Sequence, residues 1–545
     1  MLNDKQIERT INKVARLNAV YEPYIIESKV TLSCQLFETK EHYFVPPKFE
    51  QFRDISKGNV WGGENVYGWF LVDISKLERK KKEYYILSET DGIESLMYVD
   101  GQPYGMFDIV DGAMSAEERL HKYVPLDINA KSLCIESYSG HAIEGTMPYA
   151  TTATFSLTRL KSEKTFKGIY AVTFNKEVKK FTENITLINS EYRASINKSF
   201  YRAKLQNLYL SIFEIVDLMP NDGYNQEKII TANNLIEDYR RNKSNAVNLP
   251  SISLVGHSHL DTAWLWKVEE TKHKFIRTIA TAVRLLNKYP QYIFMTSSCL
   301  HMEWIKQYEP LLFEKVVKLY KEGRFEVNGA TWIECDGNIP CGESFARQFI
   351  RGQRWMKDNF GKYADCFFLP DTFGYSGAIP QIMRQSKVKY FLTTKLRWND
   401  TNKFPYDTFV WQGIDRSKVL THFNTIQCIP NAETIYSRAE EISNKRVCSQ
   451  ALLSYGYGDG GGGAEETMIE SALDSIHNIK DINCKHSTVS EFMQELSQTE
   501  EQLPIYKGEL YLELHRGTLT TNHDIKETNR RLEKLLHNAE FLSVI

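Results

Sequence analysis

The chain has 545 residues, 42% of them hydrophobic and 25% charged, with a formal net charge of −2. That length exceeds what one core supports and points to about two to four domains. The near-zero charge makes no case for nucleic acid or an anionic membrane surface as partner, and no apolar run approaches the ~20 residues of a membrane span. The N-terminus, Met1-Leu2-Asn3-Asp4-Lys5, lacks the apolar core of a secretory signal. Nine cysteines, odd in number and without a CxxC pair, fit buried free thiols in a reducing compartment, so the expected location is cytoplasmic.

Residues 4–20 read as an amphipathic helix with Ile7, Ile11, Val14 and Leu17 on one face. From about residue 30 to 175 short β-rich runs alternate with turn residues, and Asp100-Gly101 between apolar runs predicts a hairpin. This texture predicts a β-sandwich, with Trp61, Trp69 and Phe70 as packing or rim residues. Residues 195–245 return to helix, and Leu205, Leu208, Ile212 and Ile215 form a stripe expected to dock on a neighbour. From 250 strands and helices alternate. Candidate strands are 251–256, 291–297, 325–329, 365–369, 388–394, 408–412 and 418–423, with helices near 270–288 and 302–322. That order predicts a parallel α/β sheet or barrel, whose sites gather where strands end. Residues 523–545 predict a last amphipathic helix, with Ile525, Leu532, Leu536 and Leu542 along one side.

The richest stretch is His257-Ser258-His259-Leu260-Asp261-Thr262-Ala263-Trp264, just after an apolar run. Imidazole nitrogen with carboxylate oxygen is a ligand set for a first-row metal, zinc above all. His and Asp two residues apart project to one side of an extended segment. Elsewhere, Asp371 sits at the tip of the apolar run Phe367-Phe368-Leu369-Pro370, either as a helix cap or as a carboxylate aimed into the same mouth. Tyr455-Gly456-Tyr457-Gly458-Asp459 runs into Gly460-Gly461-Gly462-Gly463. No Walker Lys-Ser/Thr follows, which leaves a flexible surface loop or a loop that needs close backbone approach to a ligand. Glu334 and Asp336, in Thr331-Trp332-Ile333-Glu334-Cys335-Asp336, are surface acids or substrate-reaching carboxylates. Glu513-Leu514-His515-Arg516 precedes the last helix.

Together these phrases resemble glycoside hydrolase family 38, the metal-dependent α-mannosidases, and especially its cytosolic and bacterial subgroup. GHSHLDTAWLW, FLPDTFGYS, TKLRWNDTNKFP, YGYGDGGGG and ELYLELHRGT stand in the family's order across roughly residues 250–530, and WGGENVYGWF with YVDGQPYG looks like the subgroup's N-terminal β-domain. The resemblance implies an α/β chain: a (β/α)7 barrel catalytic domain, preceded by a β-sandwich and followed by the start of a helical bundle. The boundaries that follow are 1–25 for an N-terminal helix, 26–175 for a β-sandwich accessory domain, 176–248 for a helical linker, 249–510 for the barrel and 511–545 for the bundle segment. It implies His259, Asp261 and Asp371 as metal ligands, with zinc as the ion and cobalt or another divalent ion as substitutes. It implies Asp371 as nucleophile and Asp459 as general acid, with Trp264, Phe373, Lys395 and His515 contacting substrate.

Family members continue past the helix that ends here and take a further metal-binding histidine from a later His-Asp motif. This chain has none, so it is expected to be truncated at its C-terminus and to lack one ligand. Ala464 and Leu519 are milder departures. The expected activity is that of a retaining exo-α-mannosidase acting on terminal α-mannosyl residues of oligosaccharides. Its alternatives are an inactive or sugar-binding N-terminal fragment and, further off, a metal-dependent carbohydrate deacetylase. No nucleic acid or membrane partner is expected; homo-oligomerisation is left open.

Overall fold

The computed structural model describes residues 4–47, 52–107, 121–140, 162–195, 199–220, 223–241, 250–443, 447–479 and 481–545. The fold is mixed α/β. Residues 242–248 of the expected linker lie outside the described residues.

The N-terminal helix is two pieces, Asp4–Val14 and Leu17–Tyr21. They pack on Ser199–Ile215 and Lys176–Ala194, which also pack on Gln226–Arg241, and Ile11, Leu17, Phe181, Ile185, Leu208 and Ile212 share one apolar cluster. The stripe read from Leu205, Leu208 and Ile212 therefore does dock, and its neighbours include the first helices of the chain.

Besides a two-stranded sheet that pairs Val60–Gly62 with Glu163–Thr165, the β-rich region forms two larger antiparallel sheets. One has the order Ile26–Leu32, Gly168–Phe174, Tyr85–Glu89, Tyr123–Pro125. The other has the order Arg53–Ile55, Cys34–Thr39, Tyr67–Val72, Leu133–Tyr138, Glu94–Val99, Gln102–Phe107. Its last two strands are the hairpin that Asp100-Gly101 announced, and both turn residues take positive φ, 51° and 77°. Alternation along the strands divides the six-stranded sheet into two buried faces. Phe70, Met97 and Ile135 join residues of the four-stranded sheet. Trp69, Leu96, Tyr98 and Cys134 instead pack with Phe275, Ile276 and Ile279 of the helix Val268–Lys288. Trp61, Trp69 and Phe70 are thus packing residues, at 2%, 0% and 0% exposure.

That second face also carries charge. Arg277 on the helix pairs with Glu94, Glu136 and Glu270, Lys274 pairs with Glu94, and His273 Nδ1 lies 3.2 Å from Glu136. All six are buried, and the Tyr67 hydroxyl donates to Glu270. Charges taken out of water this completely persist only where each finds a partner.

From residue 250 the strands form two further sheets. The first orders Phe325–Val327, Phe294–Thr296, Ser251–His257, Gln450–Tyr455 and Thr425–Cys428, all parallel, and Asn483–His486 also pairs with Ser251–His257. The second orders Cys366–Leu369, Tyr390–Thr393, Lys418–Phe423, Thr408–Gln412 and Ile505–Lys507. Alternate residues of both sheets meet in one cluster: Val255, Met295 and Leu452 from the first, Phe368, Leu392 and Leu420 from the second.

Two expectations need correction. Thr408–Gln412 runs antiparallel to Lys418–Phe423, because the link between them is far too short for a crossover. The single helix expected at 302–322 is two, Cys299–Tyr308 and Pro310–Lys321. Pro310 cannot donate a hydrogen bond inside a helix and instead starts a new one. The last helix, His523–Val544, is held by Glu533, which accepts from Cys341 N and Ser344 Oγ, and by the pair Arg347–Glu540. Its Leu532, Leu536 and Leu542 are exposed. No helix among the described residues is long and apolar enough to cross a membrane.

Candidate active site

The strand Ser251–His257 ends just before His259, and Gln450–Tyr455 ends alongside it, just before Asp459. The two loops are stitched together. Leu260 bridges Gly460, and Asp261 N donates to Asp459 O at 2.9 Å. Ser258 Oγ donates to Tyr457 O at 3.1 Å and accepts from Gly463 N at 3.2 Å. Glycine is required here by the protein's own packing. At Gly456, with φ +128°, a Cβ would stand 2.4 Å from His257 O; at Gly461, with φ +87°, it would stand 2.8 Å from Thr278 Oγ1. The glycine run is therefore a buried seam against the helix Val268–Lys288. The flexible surface loop considered from sequence is not what forms, and the close approach is to protein backbone and side chain.

His259 is the centre of the site. It is 3% exposed. Its Nε2 lies 3.5 Å from Asp261 Oδ1 and 3.9 Å from Asp371 Oδ2, its Nδ1 lies 3.1 Å from Glu334 Oε2, and neither ring nitrogen makes a well-aligned hydrogen bond. The ligand atoms of His259, Asp261 and Asp459 all lie within 4.8 Å of one another. A buried imidazole nitrogen left without a hydrogen-bond partner and ringed by carboxylates fits a divalent cation, and the N/O donor set suits zinc. Asp371 follows the strand Cys366–Leu369, and its other oxygen takes an ion pair from Lys395 Nζ at 2.6 Å.

Lys395 opens the short turn after Tyr390–Thr393 and is 4% exposed. Its ammonium lies 4.8 Å from the centre of the Phe373 ring and 4.4 Å from that of Trp398. The His515 ring sits 4.7 Å from that of Phe373, and His515 itself holds φ +51°. Lys395, Phe373 and His515 thus gather at Asp371. Trp264 is half-buried on the loop after Asp261 and meets Trp266 edge to face. The other acids of this region divide: Asp336 caps a turn through the backbone of Asn338 and Ile339, whereas Glu334 turns inward.

The electrostatics follow from burial and these neighbours. Burial lowers the basicity of His259, but Glu334 and Asp261 overcome it and hold the imidazole well above its ordinary value. Glu334 is held below the carboxylate range, because His259 outweighs burial. His257 and His301, buried without such a partner, fall to about 4. Asp459 is raised by burial, helped by the carboxylates of Asp261 and Asp371, against the pull of His259 and a hydrogen bond from Gln427 Nε2 at 2.6 Å. Gly458 makes room for that amide, since a Cβ there would meet Gln427 Nε2 at 2.3 Å. Gln427, Trp398 and Ser297 were not singled out from sequence, and Glu334 was noted there without a role.

Residues 250–509 match the family described as Glycosyl hydrolases family 38 N-terminal domain. The chain is 44% identical over 300 residues to "Alpha-mannosidase G" of Dictyostelium discoideum, a match covering 53% of this chain and 27% of that protein. It is 40% identical over 297 residues to "Alpha-mannosidase 2C1" of Homo sapiens, covering 54% and 28%. With "Alpha-mannosidase" of Saccharomyces cerevisiae it is 37% identical over 312 residues, covering 54% and 28%. Residues 250–509 are thus similar to the N-terminal domain of glycosyl hydrolase family 38. The matched segment spans little more than a quarter of the length of these curated relatives.

Proposed function

We propose that this chain carries the catalytic centre of a retaining exo-α-mannosidase that removes terminal α-mannosyl residues from oligosaccharides. The observation that carries the reading is the facing of Asp371 and Asp459 around His259, with Asp371 paired to a cation and Asp459 raised by burial. A retaining glycosidase needs that division: one carboxylate ionised to attack the anomeric carbon, the other protonated to give the leaving oxygen its proton. Asp371 is the nucleophile, ion-paired with Lys395. Asp459 is the acid, and after the leaving group departs it takes the proton of the incoming water. Phe373 and His515 wall the sugar pocket beside Asp371, and Trp264 offers an aromatic platform.

A zinc ion would be held by His259, Asp261 and Asp371, and would supply orientation and polarisation of the sugar's hydroxyls. The surrounding architecture proposed here is a (β/α)7 barrel over 249–510, a β-sandwich over 26–175 and helical segments at 1–25, 176–248 and 511–545. The cluster shared by alternate residues of the two later sheets supports the barrel, and that shared by the two earlier sheets supports the sandwich. Nine free cysteines support a reducing, cytoplasmic location. The test is hydrolysis of para-nitrophenyl α-mannoside by this chain, with zinc measured on the same sample before and after chelation. Chelator-sensitive turnover is expected; turnover that survives Asp371→Ala would overturn the nucleophile assignment.

A further inference from the structure

Among the described residues, Glu334 is the one carboxylate paired with Nδ1 of His259. Its Oε2 lies 3.1 Å from Nδ1, on the ring edge away from Nε2, which faces Asp261 and Asp371. The Glu334 side chain is only 14% exposed, and its second oxygen accepts from the Ser297 hydroxyl. The loop that delivers it is built for close approach. Asn328 N donates to Thr296 O at 2.9 Å, Ala330 takes φ +62°, and a Cβ on Gly329 would stand 1.7 Å from Ser297 O. The strand end that carries Ser297 and the loop that carries Glu334 are thus pressed together next to His259. His257 and His301 also feel Glu334, but His257 Nδ1 faces Met295 O at 3.1 Å and His301 Nε2 faces Thr262 Oγ1 at 3.0 Å.

From this arrangement we infer that Glu334, steadied by Ser297, is a positioning residue for the metal site: it accepts the Nδ1 proton of His259, fixes the ring, and leaves the Nε2 lone pair for the cation. The inference rests on the metal reading of His259 given above. A carboxylate on the far nitrogen selects the tautomer, aligns the ring and raises the donor strength of the ligating nitrogen. Glu334 cannot be a ligand of the same ion, since its oxygen meets the opposite edge of the imidazole. It acts through His259 and does not touch substrate.

The experiment compares the wild-type chain with Glu334→Ala, Glu334→Gln and, as an exposed control on the following helix, Glu343→Ala. Zinc affinity is read by competition with a chromophoric chelator on metal-stripped protein, cobalt-loaded protein is read by its visible absorption, and kcat and KM are read at saturating zinc. Glu334→Ala is expected to weaken zinc binding about 10- to 100-fold and to shift the cobalt spectrum. Its kcat at saturating zinc is expected to fall far less than its metal affinity. Glu334→Gln keeps an acceptor without the charge and falls between; Glu343→Ala matches wild type. If Glu334→Ala does not fold, the nearly isosteric Glu334→Gln carries the comparison. Wild-type protein that takes up no zinc overturns the metal reading and this role with it. Zinc-binding wild type with affinity unchanged, to within twofold, in Glu334→Gln overturns the role of Glu334 alone.

Discussion

Lys395 Nζ lies 2.6 Å from Asp371 Oδ1, with the lysine side chain 5% exposed and the aspartate 28%. The ammonium is buried while its partner stays partly exposed, so the pair fixes the direction of the Asp371 carboxylate. Lys395→Met is expected to lower kcat/KM on an aryl α-mannoside by about 10²-fold, the scale of losing one preorganised charge-stabilising group. Lys395→Arg should not restore it, because a planar guanidinium does not fit the point-charge position between Phe373 and Trp398. Full activity in either variant removes Lys395 from the machinery.

Asp459 is raised chiefly by burial, and Gln427 opposes the rise by donating to its carboxylate. A general acid works while protonated, so the alkaline limb of kcat/KM against pH reports its ionisation. Gln427→Leu removes a donor that favours the charged form. The limb is expected to move to higher pH by about half a unit to one unit; a move in the other direction contradicts the acid role.

Arg277 balances three buried carboxylates, Glu94, Glu136 and Glu270. Arg277→Met leaves them only Lys274, His273 and the Tyr67 hydroxyl as partners, and a loss of about 3–5 kcal/mol is expected in urea unfolding.

Glu309, between two helices, is 4% exposed, and its Oε1 has no hydrogen-bond partner; burial pushes it up to about 8. A carboxyl whose folded value is raised contributes fully below its unfolded value of about 4.5, and that contribution is lost as pH rises through about 8. Glu309→Gln is expected to stabilise the protein, with little gain at pH 4.5 and a gain on the order of 2 kcal/mol at pH 8. A gain equal at both pH values would show that Glu309 is not titrating in this window.

At Gly456 any side chain would meet the His257 carbonyl while holding φ +128°. Gly456→Ala must open the seam between the strands that carry His259 and Asp459. Loss of thermal stability and of turnover together is the expected result, measured by scanning calorimetry and the aryl mannoside assay.

Much of the candidate site could be read before the fold. His259, Asp261, Asp371 and Asp459 follow apolar runs that do become strands, and strand ends in α/β folds are where polar side chains are free to face a cavity. The hairpin at Asp100-Gly101 was equally local, since its turn chemistry lies in two residues. Glu334, Ser297 and Gln427 escaped because their roles depend on which loops approach, and nothing near them in sequence encodes His259 or Asp459 as neighbour. The glycine run left mobility and close approach both open for the same reason, and only the proximity of Thr278 to Gly461 shows close packing against the protein itself. Pro310 was visible but was read through, because the apolar periodicity continues on both sides of the break.

The helix Val268–Lys288 begins just after the loop that bears His259, Asp261 and Trp264, and Thr271 Oγ1 donates to Thr262 O at 2.6 Å and accepts from Trp266 Nε1 at 3.0 Å. Lys274 Nζ lies 4.3 Å from the centre of the Trp266 ring and reaches across to Glu94 in the N-terminal sheet. The loop that carries His259 and Asp261 is therefore clamped at both ends, by a central strand on one side and by ion pairs from a distant part of the chain on the other. Glu94 and Glu136 are remote in sequence, yet they hold the helix that follows this loop. The N-terminal sheet works as the second jaw of a vice on it.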